Sequence, residues 1–242
     1  MRHEKRAWKR RGIGYRRIFT LGWIVVTGFA MINCGTQRVT TPAATARISP
    51  AVSPGILGSW DALGYQVGDI VEDFVLYSED GTQFRLSDEL MKGRPVVFSA
   101  ASYTCDVSRR NFPAVRELWK KYGEDISFFV VYTTEAHPAD VPSPYSPDGR
   151  VWIAEANVRD KVEENQPKTY KERIELSRIF KSRNHVPLEV LVDSPDNYFW
   201  KNFGQAPNML YVILPDGKVY FKQTWFEKYE ADTSLSELLD ER

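Results

Sequence analysis

The chain is poor in the residues from which most chemical sites are built. It has two cysteines, Cys34 and Cys105, and three histidines among 242 residues. Two thiols cannot make the disulfide framework of a small secreted domain. No C-x-x-C or H-x-x-x-H spacing occurs, so the common metal sites have no footing and none is expected. A membrane-spanning helix needs ~20 apolar residues, and the apolar stretch Ile18 to Ile32 supplies only fifteen. The formal net charge is zero, and neither a nucleic-acid module nor an internal repeat is present.

That zero conceals an asymmetry. Residues 1–17 hold eight Lys/Arg against Glu4 alone, a net of +7, which leaves −7 for the remainder. The basic block is therefore a tail on a mildly acidic body. With the fifteen-residue apolar stretch behind it, residues 1–34 read as an export signal or membrane anchor. Tyr15-Arg16-Arg17 resembles a twin-arginine signal, and Met31-Ile32-Asn33-Cys34 a lipoprotein cleavage site in which Cys34 is lipidated. Residues 35–66, rich in Thr, Ala, Pro, Ser and Gly, read as a flexible linker, and 67–242 as one folded domain. The expected location is the cell envelope, with the domain held outside the cytoplasm by its N-terminus.

The body reads as α/β, with a central mixed sheet and helices on both faces. Phe74–Tyr77 and Thr82–Leu86 flank a Glu79-Asp80-Gly81 turn as a hairpin. Ser87 is the expected cap of a short helix to Met91, and residues 95–101 form a buried strand. A helix from Ser108 to Tyr122-Gly123 follows, with Phe112, Val115, Leu118 and Trp119 at helical spacing. Ile126–Tyr132 has the apolar run of a strand buried on both faces. After a loop over 133–147 come a helix over 168–181, a strand over 188–192 and a short aromatic helix over 197–203. A hairpin around Pro215-Asp216-Gly217 and a last helix capped by Thr233 complete the order.

Cys105 lies between a buried strand and a helix N-terminus. The helix dipole there favours thiolate, while the neighbouring Asp106 opposes it, so the sign of the net shift is open. Cys105-Asp106-Val107-Ser108 places serine where a dithiol motif has its second cysteine. Turnover at Cys105 must then pass through an adduct cleared by an outside thiol, or through a disulfide with a distant cysteine. The alternative is an inert, buried thiol.

Ser102-Tyr103-Thr104-Cys105, the helix after it and Val130-Val131-Tyr132-Thr133-Thr134-Glu135-Ala136-His137-Pro138-Ala139-Asp140 together resemble the iodothyronine deiodinase family. Glu172-Arg173 and Pro207-Asn208-Met209-Leu210-Tyr211-Val212-Ile213 extend the resemblance over about residues 67–230. It implies a thioredoxin-like fold and a reductive dehalogenase site. Cys105 would be the nucleophile, in the position of the family's selenocysteine or cysteine, with Glu135 and His137 as acid/base groups. Tyr103 and Thr104 would shape the site or bind substrate, and Pro207 occupies the place of the proline that thioredoxin-like folds keep beside the thiol. Two residues apart in an extended segment, Glu135 and His137 are expected to meet in one pocket, the carboxylate keeping the imidazole protonated.

The resemblance implies a small-molecule substrate such as a halogenated phenol, no bound cofactor and an external thiol reductant, either a protein or a small thiol. Two other readings stay open at this stage. Ser102-x-x-Cys105 partly matches the T/S-x-x-C of peroxide-reducing peroxiredoxins, and a non-catalytic thioredoxin-like binding module would need no reactive thiol.

Overall fold

A computed structural model describes residues 40–51, 60–146 and 148–241. Seven strands form one mixed sheet in the order β2-β1-β5-β4-β3-β6-β7. They are β1 (Val75–Ser78), β2 (Gln83–Arg85), β3 (Val96–Ala101), β4 (Ser127–Tyr132), β5 (Glu189–Val192), β6 (Leu210–Ile213) and β7 (Val219–Gln223). The three central strands β3, β4 and β5 run parallel, and the outer pairs are antiparallel. The apolar run expected as a doubly buried strand is indeed the middle strand of the sheet. Its register sets Ala101 opposite Tyr132, so the loops leaving β3 and β4 emerge side by side at one sheet edge.

Alternation along these strands divides the core into two layers. Val97, Val130, Tyr132, Val190 and Val212 face one layer with α2 (Asp106–Tyr122), α4 (Tyr170–Arg183) and α6 (Lys228–Asp240). Phe98, Phe129, Val131, Leu191 and Tyr211 face the other, against α1 (Leu86–Leu90) and α5 (Tyr198–Phe203). This is the thioredoxin-like arrangement that the resemblance implies. Gly204 ends α5 at φ 116°, a conformation that an L side chain would resist.

The helix starts differ from expectation, because other groups satisfy the free N–H donors. Arg85, not Ser87, precedes α1, and Asp73 Oδ1 accepts from the Ser87 N–H at 2.9 Å. The Glu227 carboxylate caps α6 by accepting from the Tyr229 and Glu230 N–H groups, so Thr233 lies inside the helix. α4 begins with a Thr169–Glu172 capping box. A short helix that the sequence reading lacked, α3 (Glu155–Asp160), follows the long loop. Within the stretch read as linker, the described residues are fastened to the body by backbone hydrogen bonds, among them Ile48 N–H to Lys168 O and Tyr65 N–H to Asn202 O. Among the described residues no helix is long and apolar enough to cross a membrane. Cys34 and the signal or anchor over 1–34 lie outside the described residues.

Candidate active site

Strand β3 delivers Ser102 to Cys105 as a turn that leads straight into α2. The first helical residue is Asp106, so Cys105 is the N-cap, and its Sγ accepts from the Ser108 N–H at 3.3 Å. Ser108 is not the cap, because its hydroxyl is spent elsewhere, donating to the Pro207 carbonyl at 2.6 Å. Helix α3 clamps the turn from outside. Asn157 Nδ2 donates to Thr104 O at 2.7 Å, and Arg109 donates to Tyr103 O at 2.7 Å and to Asn157 Oδ1 at 3.0 Å.

Cys105 is 1% exposed, and burial pushes its thiol up to about 11, against the opposing hydrogen bonds from Ser108. In this setting desolvation outweighs the helix terminus, and the resting group is a thiol. The folded value lies above the unfolded one, so the stability it confers is present below about pH 9 and lost as pH rises through about 11. Urea unfolding should show wild type losing about 2–3 kcal/mol more than Cys105→Ala across that interval. Identical slopes for the two proteins would refute this.

Glu135 stands behind the turn, fully buried. Its Oε2 accepts from the Thr104 N–H at 2.7 Å and the Thr104 hydroxyl at 2.6 Å, and its Oε1 accepts from the Tyr132 hydroxyl. Both hydroxyl protons are committed to the carboxyl, since Thr104 Oγ1 accepts from the His137 N–H and Tyr132 Oη from the Tyr103 N–H. Burial raises the Glu135 carboxyl while these donors oppose the rise. The group thereby joins the β3 loop to the β4 loop. Glu135→Gln would turn an NH2 towards a fixed donor, and is expected to cost about 1–3 kcal/mol in urea unfolding. An unchanged midpoint would show that the network carries no load.

His137 follows two residues later in the same loop. Its Nδ1 donates to Trp152 O at 3.1 Å, which places the neutral ring's proton on Nδ1 and leaves Nε2 bare. Nε2 faces Asp106 Oδ1 at 3.8 Å. Burial lowers the imidazole, so the resting ring is neutral at pH 7. Cys105, His137, Asp106 and Pro207 line one cavity of about 430 Å³, walled by Tyr145, Trp152 and Trp225.

A protein-family model described as iodothyronine deiodinase matches residues 67–233, more than half of the chain. The chain belongs to the iodothyronine deiodinase family. Thyroxine 5-deiodinase of Sus scrofa is 26% identical over 168 residues, covering 62% of this chain and 49% of the relative. The Ovis aries enzyme is 25% identical, covering 62% and 51%. The chain thus spans about half the length of the curated relatives it matches. Among solved structures, a provisionally assigned protein disulfide isomerase from Bacteroides thetaiotaomicron superposes with a TM-score of 0.50 at 17% identity, covering 74% of this chain and 92% of that one. That likeness concerns the fold alone, and it agrees with the thioredoxin-like architecture.

Within this deiodinase-family frame, Cys105, His137 and Pro207 share the cavity, whereas Glu135, Tyr103 and Thr104 stand behind its wall. The expected Glu135–His137 side-chain pair does not form. The backbone bends at Ala136-His137, so the two-residue alternation of an extended segment is lost. The Ala206–Pro207 bond is trans, as are all peptide bonds among the described residues. Asp106, Tyr145, Trp152, Glu155 and Trp225 reach the cavity unannounced by motif. Asp106 at the first position of α2 was the most legible of them. Among the described residues no group of His, Cys, Asp and Glu is placed to hold a metal.

Proposed function

We propose that this protein is a monothiol reductive dehalogenase acting on aryl iodides, held at the membrane by its N-terminus and recycled by an external thiol. One observation carries the reading: in a deiodinase-family chain, Cys105 and His137, whose Nε2 is left bare, line the same aromatic-walled cavity. The thiol proton passes to Nε2, giving a thiolate beside an imidazolium that Asp106 favours. Sulfur attacks iodine and takes it as a sulfenyl iodide, while the carbon–iodine electron pair stays on the ring. His137 returns its proton to that carbon. An outside thiol then displaces iodide to form a mixed disulfide with Cys105, and a second thiol releases the cysteine. Two thiols are oxidised to a disulfide for each carbon–iodine bond reduced.

The scheme draws both electrons from outside thiols, and among the described residues Cys105 is in no disulfide. Tyr103, Thr104 and Glu135 act as positioning residues that fix the nucleophile's turn, and Pro207 closes the cavity beside it. The test is iodide release from an iodinated phenol with dithiothreitol, together with mass spectrometry of Cys105 after a single turnover without it. Stoichiometric iodide and a dithiothreitol-labile adduct are expected. Absence of iodide release, with rapid sulfenic acid formation in peroxide, would transfer the chain to the peroxide-reducing reading.

A further inference from the structure

The charges lining the Cys105 cavity have one sign. Asp106 is partly buried at its floor, and Glu155 is exposed at the first position of α3. No Lys or Arg lines the cavity, and among the described residues Glu155 has neither an ion-pair partner nor a side-chain hydrogen bond. Of the nearby guanidinium groups, Arg109 is directed away, to Tyr103 O, Asn157 and Asp160, and the exposed Arg110 pairs loosely with Asp106 Oδ2 at 3.9 Å from outside the lining. A ligand carboxylate entering this space would meet the unpaired Glu155 carboxylate and no Lys or Arg in the lining.

The walls complement that charge. Trp152 and Trp225 are 46% and 45% exposed although both line the cavity, so each leaves much of its ring uncovered. Trp152 is fixed edge-to-face on His137 at 4.5 Å, and Trp225 packs on Trp60 at 6.0 Å. Held indole faces take a planar ring by stacking and an ammonium by cation–π attraction, and they give nothing comparable to an anion.

We infer that the cavity selects aryl halides whose side chain ends in an ammonium and carries no carboxylate. Glu155 is the specificity-determining residue and Asp106 reinforces it. This rests on the dehalogenase reading for its turnover, but its binding arm does not. The two charges are the only difference between 3-iodotyramine and 3-iodo-4-hydroxyphenylpropionate that the site needs to distinguish.

The experiment compares those two compounds on the full chain, by kcat/KM for iodide release with dithiothreitol and by calorimetric Kd on Cys105→Ser, which cannot turn over. The ammonium compound is expected to be favoured about fivefold in both measurements at low salt, the scale of one charge contact at a solvent-exposed site. The preference should shrink as salt is raised. Glu155→Gln should remove most of it by raising KM for the ammonium compound, and Glu155→Lys should reverse it. Equal handling of the two compounds, or preference for the carboxylate, would overturn the inference. If neither is dehalogenated yet the binding preference persists, the inference stands and the dehalogenase reading falls. If neither binds, both fall.

Discussion

Cys105→Ser is expected to lower iodide release to the level of the buffer while leaving the fold intact. The two effects separate because the sulfur has two tasks. As N-cap it accepts a hydrogen bond from the Ser108 N–H, a task that a serine hydroxyl performs at least as well. Unfolding should therefore occur within a few degrees of wild type. In the proposed reaction it must, as nucleophile, yield an anion and then bond to iodine, and an alcohol at neutral pH does neither at a useful rate. Cys105→Ala makes a sharper control, because it loses the cap as well and should be less stable by ~1 kcal/mol. Residual turnover above a few parts per thousand in the purified, folded serine variant would show that Cys105 is not the group that takes the halogen.

The sheet was legible in the chain because its strands carry their own signature. Val96–Ala101, Ser127–Tyr132 and Glu189–Val192 are apolar runs bounded by polar turns, and such runs are buried wherever they pair. Cys105 was legible for a similar reason, since a strand, a turn and a helix in succession fix where a residue between them must sit. The relation of Glu135 to His137 was not legible. It depends on a bend at Ala136-His137, which follows from contacts outside the segment: Thr104 Oγ1, from the neighbouring loop, holding the His137 N–H, and Ser143 Oγ, further along the same loop, donating to Ala136 O at 2.5 Å. The aromatic wall was hidden for the same reason. Trp152, Glu155 and Trp225 have no shared spacing, and α3 is a six-residue helix without an apolar stripe. The caps of α1 and α6 were missed because acidic side chains did the work usually given to Ser or Thr.

His137→Ala is expected to slow dehalogenation by ~100-fold, the usual scale for a lost proton-transfer group. The resting ring is neutral and the resting thiol protonated, so the imidazole is needed first as a base. In the proposed reaction, the proton that it removes from Cys105 is the one it later gives to the ring carbon, and neither group has to begin in its charged form. This shuttle has a distinct pH signature. In wild type, activity should fall on the acid side below pH 6.5, because burial places the imidazole under its ordinary value and a protonated ring can no longer accept the thiol proton. In His137→Ala that acid limb should disappear. The deficit should instead narrow as pH climbs towards 11, where the thiolate forms without assistance. Alkylation of Cys105 by iodoacetamide at high pH should be preserved in the variant, which separates loss of the base from collapse of the pocket. Full activity in His137→Ala at pH 7 would remove His137 from the mechanism, and a uniform deficit at every pH would assign it a role in placing Trp152 rather than in moving protons. The contact with Trp152 O underlies the base role: that bond holds the proton on Nδ1 and leaves Nε2 able to accept one.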